Sequence, residues 1–293
     1  MSNCNDKEME IAVLLTCYNR KEKTLTCLDS LYHAIDQTKG HDFTIYLVDD
    51  GSTDGTGDSV RSQFPAVKVI ESDGNLFWAG GMRLAWNSAL AEKEYDAYLL
   101  LNDDVVLVES FILNILNTNS HSIKKTGQSG IYCGSTVDKE SGNTSYGGLR
   151  IVKNSFRVKT TLLNPTDNPQ RCHLANANIL WISNEVTRKI GILSNRFVHC
   201  LADYDYTLTA NEHQIPLWII PGVGGYCSND HGNSWKAPSS SLKERIAYLK
   251  SPKGLAYDEY LYYVRKHFPL FYPYSFFMLW LKTFFPVIWD KFK

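Results

Sequence analysis

The sequence lacks the features that identify metal-ribbon, redox, nucleic-acid-binding and membrane-spanning proteins. Its seven cysteines include no Cys-x-x-Cys pair, which excludes a zinc ribbon and a thioredoxin motif. Lys and Arg number 30 against 31 Asp and Glu, so a generally basic nucleic-acid-binding surface is not expected. The apolar run Ile11–Leu15 is too short for a signal-peptide core, and no run reaches the ~20 residues of a membrane span. Few, unpaired cysteines are typical of a reducing compartment, so we expect a cytoplasmic protein.

The first hundred of the 293 residues alternate between strand and helix patterns. Apolar residues recur at helical spacing from Leu25 to Ile35, and a second helical stretch is predicted from the end of the Ser72–Gly81 loop to about Glu94. Four short apolar runs are typical of buried parallel strands, namely Ile11–Thr16, Phe43–Val48, Ala66–Ile70 and Ala97–Leu101. This alternation predicts a mainly parallel α/β sheet.

The pattern changes in the second hundred residues. Residues 120–170 are rich in Ser, Thr, Asn and Gly, which predicts antiparallel strands and long surface loops. Two further strands are predicted at 177–182 and 216–220, and two short helices at 184–190 and 205–212. These changes of pattern divide the chain into residues 1–105, residues 106–240 and a C-terminal tail (241–293).

Polar and acidic clusters follow three of the predicted strands. They are Tyr18-Asn19-Arg20, Asp49-Asp50 and Asp103-Asp104, and a further acidic pair, Asp203 and Asp205, comes later. In open parallel sheets, ligands bind at the carboxyl ends of strands. Crowded carboxylates need neutralisation, and a divalent cation with a phosphate suits their hard oxygen ligands. Any single cluster could equally be a turn, but three at successive strand ends favour a site.

These strings together resemble the inverting family 2 glycosyltransferases of the GT-A fold. The resembling segments are residues 16–20 (TCYNR), 48–54 (VDDGSTD), 74–82 (GNLFWAGGM), 101–104 (LNDD), 177–178 (AN) leading into 190–191 (IG), and 203–206 (DYDY). The resemblance covers roughly residues 10–235, and the 74–82 loop is similar to that of the rhamnosyltransferase-like branch. It implies an α/β GT-A fold with a mainly parallel central sheet, a smaller antiparallel part and a helical tail.

The resemblance also implies the residues of the donor site. Asp50 would accept a hydrogen bond from the N3–H of uracil or thymine, or it could cap the following helix. Asp104 would ligate Mg²⁺ or Mn²⁺, and Asp103 would contact the ribose or the water shell of the metal. The metal would bridge the diphosphate and neutralise the leaving group. The remaining donor-binding candidates are Thr16, Tyr18, Asn19, Arg20, Asn75, Trp78, Gly80 and Arg83.

On the acceptor side, Asp203 resembles the catalytic base of the family. That base is expected beside a helix start, and Asp203-Tyr204-Asp205 fits such a start. An inverting transfer is a single displacement, so a base must take the proton of the acceptor hydroxyl. Asp205 and Trp235 are acceptor-side candidates, although Asp205 could instead be a carboxylate favoured by the helix dipole. Trp78 and Trp235 could stack on a sugar or base, or pack in the core.

Three positions depart from the family pattern or match it loosely. Arg83 stands where Asn is frequent and could bind a phosphate or face solvent. Thr209 stands where Arg is frequent. His231 is a candidate metal ligand, although an isolated His is often structural.

The tail differs from the rest of the chain. From Lys243 to Lys293 it carries nine Lys and Arg against four Asp and Glu, and it is rich in aromatic residues. The apolar stretch 276–289 would be about 21 Å long as a helix, shorter than the ~30 Å hydrocarbon core of a bilayer. This predicts either a helix in the membrane interface, which would place the protein on the cytoplasmic face of the plasma membrane, or a helix packed on the domain or in a dimer.

The sequence therefore predicts transfer of a sugar from a UDP- or dTDP-sugar to a saccharide or lipid-linked saccharide, as in polysaccharide biosynthesis. Two alternatives remain at this point, a nucleotidyltransferase that forms sugar nucleotides and an inactive nucleotide- or carbohydrate-binding module. The first usually carries a Gly-rich basic signature near the N-terminus, which is missing here. The second is disfavoured because Asp50, Asp104 and Asp203 are all retained. No nucleic-acid partner is expected.

Overall fold

A computed structural model describes residues 8–153, 158–228 and 240–286. The strands are β1 Met9–Cys17, β2 His41–Asp49, β3 Lys68–Glu71, β4 Ala97–Leu101, β5 Val106–Leu107, β6 Ile131–Val137, β7 Thr144–Tyr146, β8 Gly148–Lys153, β9 Val158–Leu162, β10 Gln170–Arg171, β11 Leu174–Ala175, β12 Ile179–Ser183 and β13 Leu217–Tyr226. The helices are α1 Lys21–Asp36, α2 Thr56–Gln63, α3 Phe77–Glu92, α4 Phe111–Thr126, α5 Asn184–Ile190, α6 Ala202–Glu212, α7 Leu242–Lys250, α8 Tyr257–His267 and α9 Tyr272–Phe284.

A ten-stranded sheet forms the centre of the molecule. Its order is β10-β13-β6-β12-β4-β1-β2-β3, with β5 and β7 attached to β13 and β6. Strands β3, β2, β1 and β4 are parallel, and β12 runs antiparallel between β4 and β6. A separate antiparallel sheet contains β11, β8 and β9. The predicted α/β architecture with a smaller antiparallel part is confirmed.

Both faces of the central sheet are covered, which explains the unbroken apolar run in β1. Ala12 and Leu14 point into the core beneath α3 and α6, whereas Val13 and Leu15 point into the core beneath α1 and α4. All four side chains are fully buried. Successive side chains of a strand face opposite ways, so a strand buried on both faces needs apolar residues at every position.

The chain order creates a crevice between β1 and β4. From β1 the chain moves outward through β2 and β3, then returns to the other side of β1 to form β4. Ligands bind at such a switch point, outside the carboxyl ends of the strands. Because β12 runs opposite to β4 with Ile179 opposite Leu101, the residues just before β12 lie at the same edge.

Several predicted boundaries were wrong. Residues 120–126 belong to α4, which the abundance of Ser, Thr and Asn concealed; its buried face includes Ile112 and Ile115. The 72–81 loop ends earlier, because α3 begins at Phe77. Strand β13 continues past the predicted end to Tyr226.

The tail forms three helices that pack on the domain. Tyr263, Val264 and Phe268 join the core beneath α6. Within the described residues, no helix is both long and apolar enough to cross a bilayer. Part of the apolar stretch 276–289 lies outside the described residues.

Candidate functional site

A cavity of about 410 Å³ opens where β1, β2 and β4 end. Each strand delivers polar side chains to this point because the three strands are parallel. The residues lining the cavity include six predicted donor-site residues, Thr16, Tyr18, Arg20, Asp50, Trp78 and Asp103. The indole N–H of Trp78 donates to Asn102 Oδ1 at 2.8 Å, which fixes the ring at the end of β4.

The cavity also contains residues that the sequence did not indicate, among them Phe77, His199 and Lys253. The Lys253 ammonium lies 5.8 Å from the ring centroid of Tyr18 and 5.7 Å from that of Phe77. Lys253 belongs to the segment between α7 and α8, far from β1 in the chain. The net positive charge of the tail was the only hint of such a contact.

Asp50 holds the start of α3 in place. Its Oδ1 accepts hydrogen bonds from Ser72 Oγ at 2.7 Å and the Leu76 N–H at 3.1 Å, and its Oδ2 accepts from the Phe77 N–H at 2.8 Å. The predicted alternative of a helix cap is therefore present, but at α3 instead of the helix next in sequence, α2. A carboxylate has about four acceptor positions, so these three donors leave about one for a ligand.

Asp103 and Asp104 share one guanidinium group. Arg20 Nη1 lies 3.4 Å from Asp103 Oδ1 and 2.8 Å from Asp104 Oδ2. Thr24 Oγ1 donates to Asp103 Oδ2 at 3.2 Å. Burial, together with the neighbouring Asp104 carboxylate, raises the pKa of Asp103 to about 7 against the opposing effect of Arg20. The pair is therefore a concentrated negative charge that a cation stabilises.

The contacts of Arg20 indicate whether Asp103 and Asp104 fit a divalent cation. A single positive group reaches both carboxylates, so one metal ion could do the same with hard oxygen ligands. In the described parts of the chain, no group of three or more His, Cys, Asp or Glu is arranged to hold a metal. Further ligands would then have to come from a diphosphate, from water or from elsewhere. The predicted ligand His231 and the predicted acceptor residue Trp235 lie outside the described residues.

Asp203 occupies the first turn of α6, as predicted. Its Oδ1 accepts from the Tyr204 N–H at 2.8 Å and its Oδ2 from the Ala177 N–H at 3.1 Å. Burial nevertheless raises the pKa of Asp203 to about 6, because these hydrogen bonds only partly replace water. The residue before the helix, Leu201, has φ +67°, a left-handed conformation that is uncommon for leucine.

A short chain of contacts connects Asp203 to the acidic pair. Ala177 donates to Asp203, and the next residue, Asn178, accepts a hydrogen bond from the Asn102 N–H at 3.1 Å. Asn102 directly precedes Asp103. In the described chain, Asp203 does not line the 410 Å³ cavity, and Asp104 faces a neighbouring cavity of about 280 Å³. The candidate site therefore lies along one edge of the central sheet and includes both cavities. Residues 177–178 connect Asp203 to the acidic pair at this edge.

Other predicted donor residues have mainly structural contacts. Arg83 is partly exposed and, in the described chain, does not line the cavity. Its Nη1 donates to the carbonyls of Ser194 and Phe197 at 2.9 and 2.7 Å and so holds the segment before α6. Asn19 Oδ1 accepts from the Thr53 N–H at 2.7 Å. Asn75 is exposed and Gly80 is buried inside α3.

Next to Gly80, Gly81 marks the close approach of α3 to β1. A Cβ atom at this position would lie 2.2 Å from Thr16 Oγ1. Only glycine allows the helix to rest directly on the strand end.

Asp205 is bound to the tail. It is 2% exposed, and it accepts from Lys266 Nζ at 2.7 Å and pairs with His267 Nε2 at 2.9 Å. The other ring nitrogen of His267 lies 2.7 Å from Glu212 Oε1. This arrangement anchors α8 to α6, which argues for a structural role of Asp205 rather than the predicted acceptor contact. Lys266 also donates to Thr209 Oγ1 at 2.9 Å, so the departure at Thr209 makes room for a cation from the tail.

Comparisons with known proteins agree with this architecture. The glycosyl transferase family 2 profile matches residues 12–181. No curated protein matches the chain. Among solved structures, the chain is similar to the mannosyltransferase PcManGT from Pyrobaculum calidifontis in complex with GDP-Man and Mn²⁺, with a TM-score of 0.53 and 14% identity. The similarity covers 79% of this chain and 61% of that chain, so this chain matches less than two thirds of the length of that protein.

Proposed function

Since the chain belongs to glycosyl transferase family 2 and has the predicted GT-A fold, we propose that it is an inverting glycosyltransferase that uses a UDP- or dTDP-sugar and an acceptor hydroxyl of a saccharide or lipid-linked saccharide. The family makes it a glycosyltransferase, and the donor, the acceptor and the stereochemistry are the proposal. One observation carries it: a partly buried carboxylate, Asp203, with its pKa raised to about 6, adjoins the strand-end acidic pair through residues 177–178.

The donor nucleotide occupies the 410 Å³ cavity in this proposal. The remaining acceptor position of Asp50 takes the N3–H of uracil or thymine, a donor that cytosine lacks. The rings of Tyr18, Phe77 and Trp78 are available for stacking on the base or ribose. The 74–82 loop that holds Trp78 is the basis for proposing the rhamnosyltransferase-like branch.

The diphosphate lies next to Asp103 and Asp104. Asp104 would hold Mg²⁺ or Mn²⁺, and the metal would supply a Lewis acid that neutralises the leaving diphosphate. The structurally similar mannosyltransferase was solved with Mn²⁺, which supports a divalent metal in this fold. Arg20 contacts both carboxylates and also lines the cavity, so its guanidinium is within reach of the diphosphate.

Asp203 acts on the acceptor. Its carboxylate takes the proton of the acceptor hydroxyl while the oxygen forms a bond to the anomeric carbon. The bond from that carbon to the diphosphate oxygen breaks, and the nucleoside diphosphate leaves with the electron pair. A base with a pKa near 6 is mostly ionised at neutral pH, which suits this role.

A thermal-shift panel tests the donor side. We expect UDP or dTDP with Mn²⁺ to raise the melting temperature more than CDP, and we expect the effect to require the metal. GDP belongs in the panel because the solved relative carries GDP-Man. Asp104→Asn should lose the metal-dependent part of the shift, whereas Asp58→Asn, at a carboxylate whose side chain is 91% exposed, should keep it.

Two results would contradict the proposal. The first is a nucleotide shift that is the same with and without metal and in Asp104→Asn. The second is nucleotide binding with neither donor hydrolysis nor transfer to any acceptor, which would favour a binding module.

A further inference from the structure

A further cavity of about 340 Å³ lies between β9, the start of α6, and the tail helices α8 and α9. Leu201 and Tyr204, which flank Asp203 in the chain, are among its lining residues. Any molecule that presents a hydroxyl to Asp203 therefore has this groove within reach.

The lining of the groove suits a lipid chain. Six aromatic residues contribute to its wall, namely Tyr204, Tyr260, Tyr263, Phe268, Phe271 and Tyr274. Aliphatic side chains, including Met278 and Leu279, complete it. The single charged residue among the described lining is Lys282, a cation, and no Asp or Glu contributes. An apolar groove with one cation complements an apolar molecule with one anionic group.

The outer side of α9 also carries exposed apolar side chains. Phe277 and Phe284 are 61% and 46% exposed, and Leu270 just before α9 is 90% exposed. The groove-facing residues Met278 and Lys282 are on the same helix. A helix that is apolar on both its groove side and its outer side is suited to the boundary between a protein and a bilayer.

We propose that this groove binds the lipid part of the acceptor, an apolar chain joined to the acceptor sugar through a phosphate, with Lys282 beside the phosphate. This inference rests on the proposed function, because it takes Asp203 to be the base. The sugar of such an acceptor would lie over Tyr204 with its hydroxyl at Asp203. Val158, Val264, Met278 and Leu279, together with the rings of Phe268 and Phe271, supply the apolar contacts that a lipid chain needs.

Decyl phosphate is a suitable probe, used below its critical micelle concentration with the full-length protein. Isothermal titration calorimetry would compare Met278→Glu with Phe277→Glu, which place the same charge at adjacent residues of α9, one lining the groove and the other 61% exposed. We expect Met278→Glu to weaken binding at least about tenfold and Phe277→Glu by less than about twofold. Ser275→Trp, which fills the groove without adding charge, should weaken binding as Met278→Glu does. Circular dichroism would confirm that each variant is folded.

Further titrations change the head group of the decyl probe and add ligands that compete with it. Decyltrimethylammonium should bind more weakly than decyl phosphate, and Lys282→Gln should reduce that preference. The inference is overturned if folded wild-type protein does not bind decyl phosphate, if the two Glu variants lose equal affinity, or if inorganic phosphate or a soluble disaccharide displaces the probe.

The nucleotide panel separates this inference from the proposed function. If UDP or dTDP with Mn²⁺ still shifts the melting temperature while decyl phosphate does not bind, the groove assignment alone fails. If decyl phosphate binds as expected and no nucleotide does, the donor chemistry fails.

Discussion

The two sides of the candidate site are assembled in different ways. On the donor side, β1, β2 and β4 each end in a polar segment, and the parallel sheet brings these segments together. On the base side, Asp203 lies at a helix start whose position depends on distant contacts. Arg83 holds the segment before α6, Ala177 donates to Asp203, and Lys266 and His267 hold Asp205.

Because the two sides are assembled differently, nucleotide binding and catalysis should depend on different parts of the chain. The donor side is built mainly from the strand ends and α3, with Lys253 added from the tail. The base side depends more heavily on the tail, which anchors α6 within one turn of Asp203. We therefore expect substitutions on the base side to alter turnover more than nucleotide affinity.

The largest effect is expected for Asp203→Asn. An amide cannot take the proton, so transfer should fall by ~10²–10⁴. Nucleotide affinity should remain near that of the wild type. Measuring kcat for transfer alongside nucleotide titration checks this, and full activity in Asp203→Asn would disprove the assignment of the base.

His267→Ala should give the next largest effect. The substitution removes a partner from the buried Asp205 carboxylate, which should cost about 2 kcal/mol of unfolding free energy. Chemical denaturation measures this, with His33→Ala as the control because that side chain is 68% exposed. In conditions where both variants are folded, kcat should drop in His267→Ala while nucleotide affinity stays. If kcat and nucleotide affinity fell equally in His267→Ala, the tail would support the donor side as well.

The pH profile of turnover should show one acid limb that belongs to Asp203. Burial raises the pKa of this carboxyl to about 6, so the base form is lost below that value. We expect kcat to decrease about tenfold per pH unit below about 6 and to level off above it. Asp203→Asn should lack this limb in its residual activity; a limb retained in that variant would belong to another group.

Lys253→Met should give the smallest effect. The ammonium lies near two rings of the donor cavity, so its removal should weaken nucleotide binding about fivefold through lost cation–π and phosphate attraction. Lys250→Met, on α7, serves as the control. Unchanged affinity in Lys253→Met would confine the donor side to the sheet and sharpen the contrast between the two sides.

The donor side could be predicted because its signals are local. Apolar strands followed by Asp and Asn identify the strand ends of a parallel sheet, and Thr16, Asp50 and Asp103 meet in one cavity as expected. Asp203 at a helix start was also indicated by its neighbours in sequence. Whether these residues act as proposed is a question for the experiments above.

The base side was harder to predict because its contacts join distant segments. No periodicity relates Asp205 to His267 or Tyr18 to Lys253, so the sequence indicated neither the clamp on α6 nor the cation in the cavity. The helix α4 was missed because Asn, Ser and Thr outnumber the apolar residues that face the core. Asp50 was predicted to bind a base, but its three backbone and hydroxyl donors belong to a segment more than twenty residues away in the chain.

Because Gly81 has no Cβ, α3 can lie directly against Thr16, and the position of α3 sets the width of the 410 Å³ cavity. An alanine at position 81 would clash with Thr16 and push α3 away from β1. Phe77 and Trp78 belong to α3 and would move outward with it. The opening of the cavity is thus set from behind, by a residue that, in the described chain, does not line it.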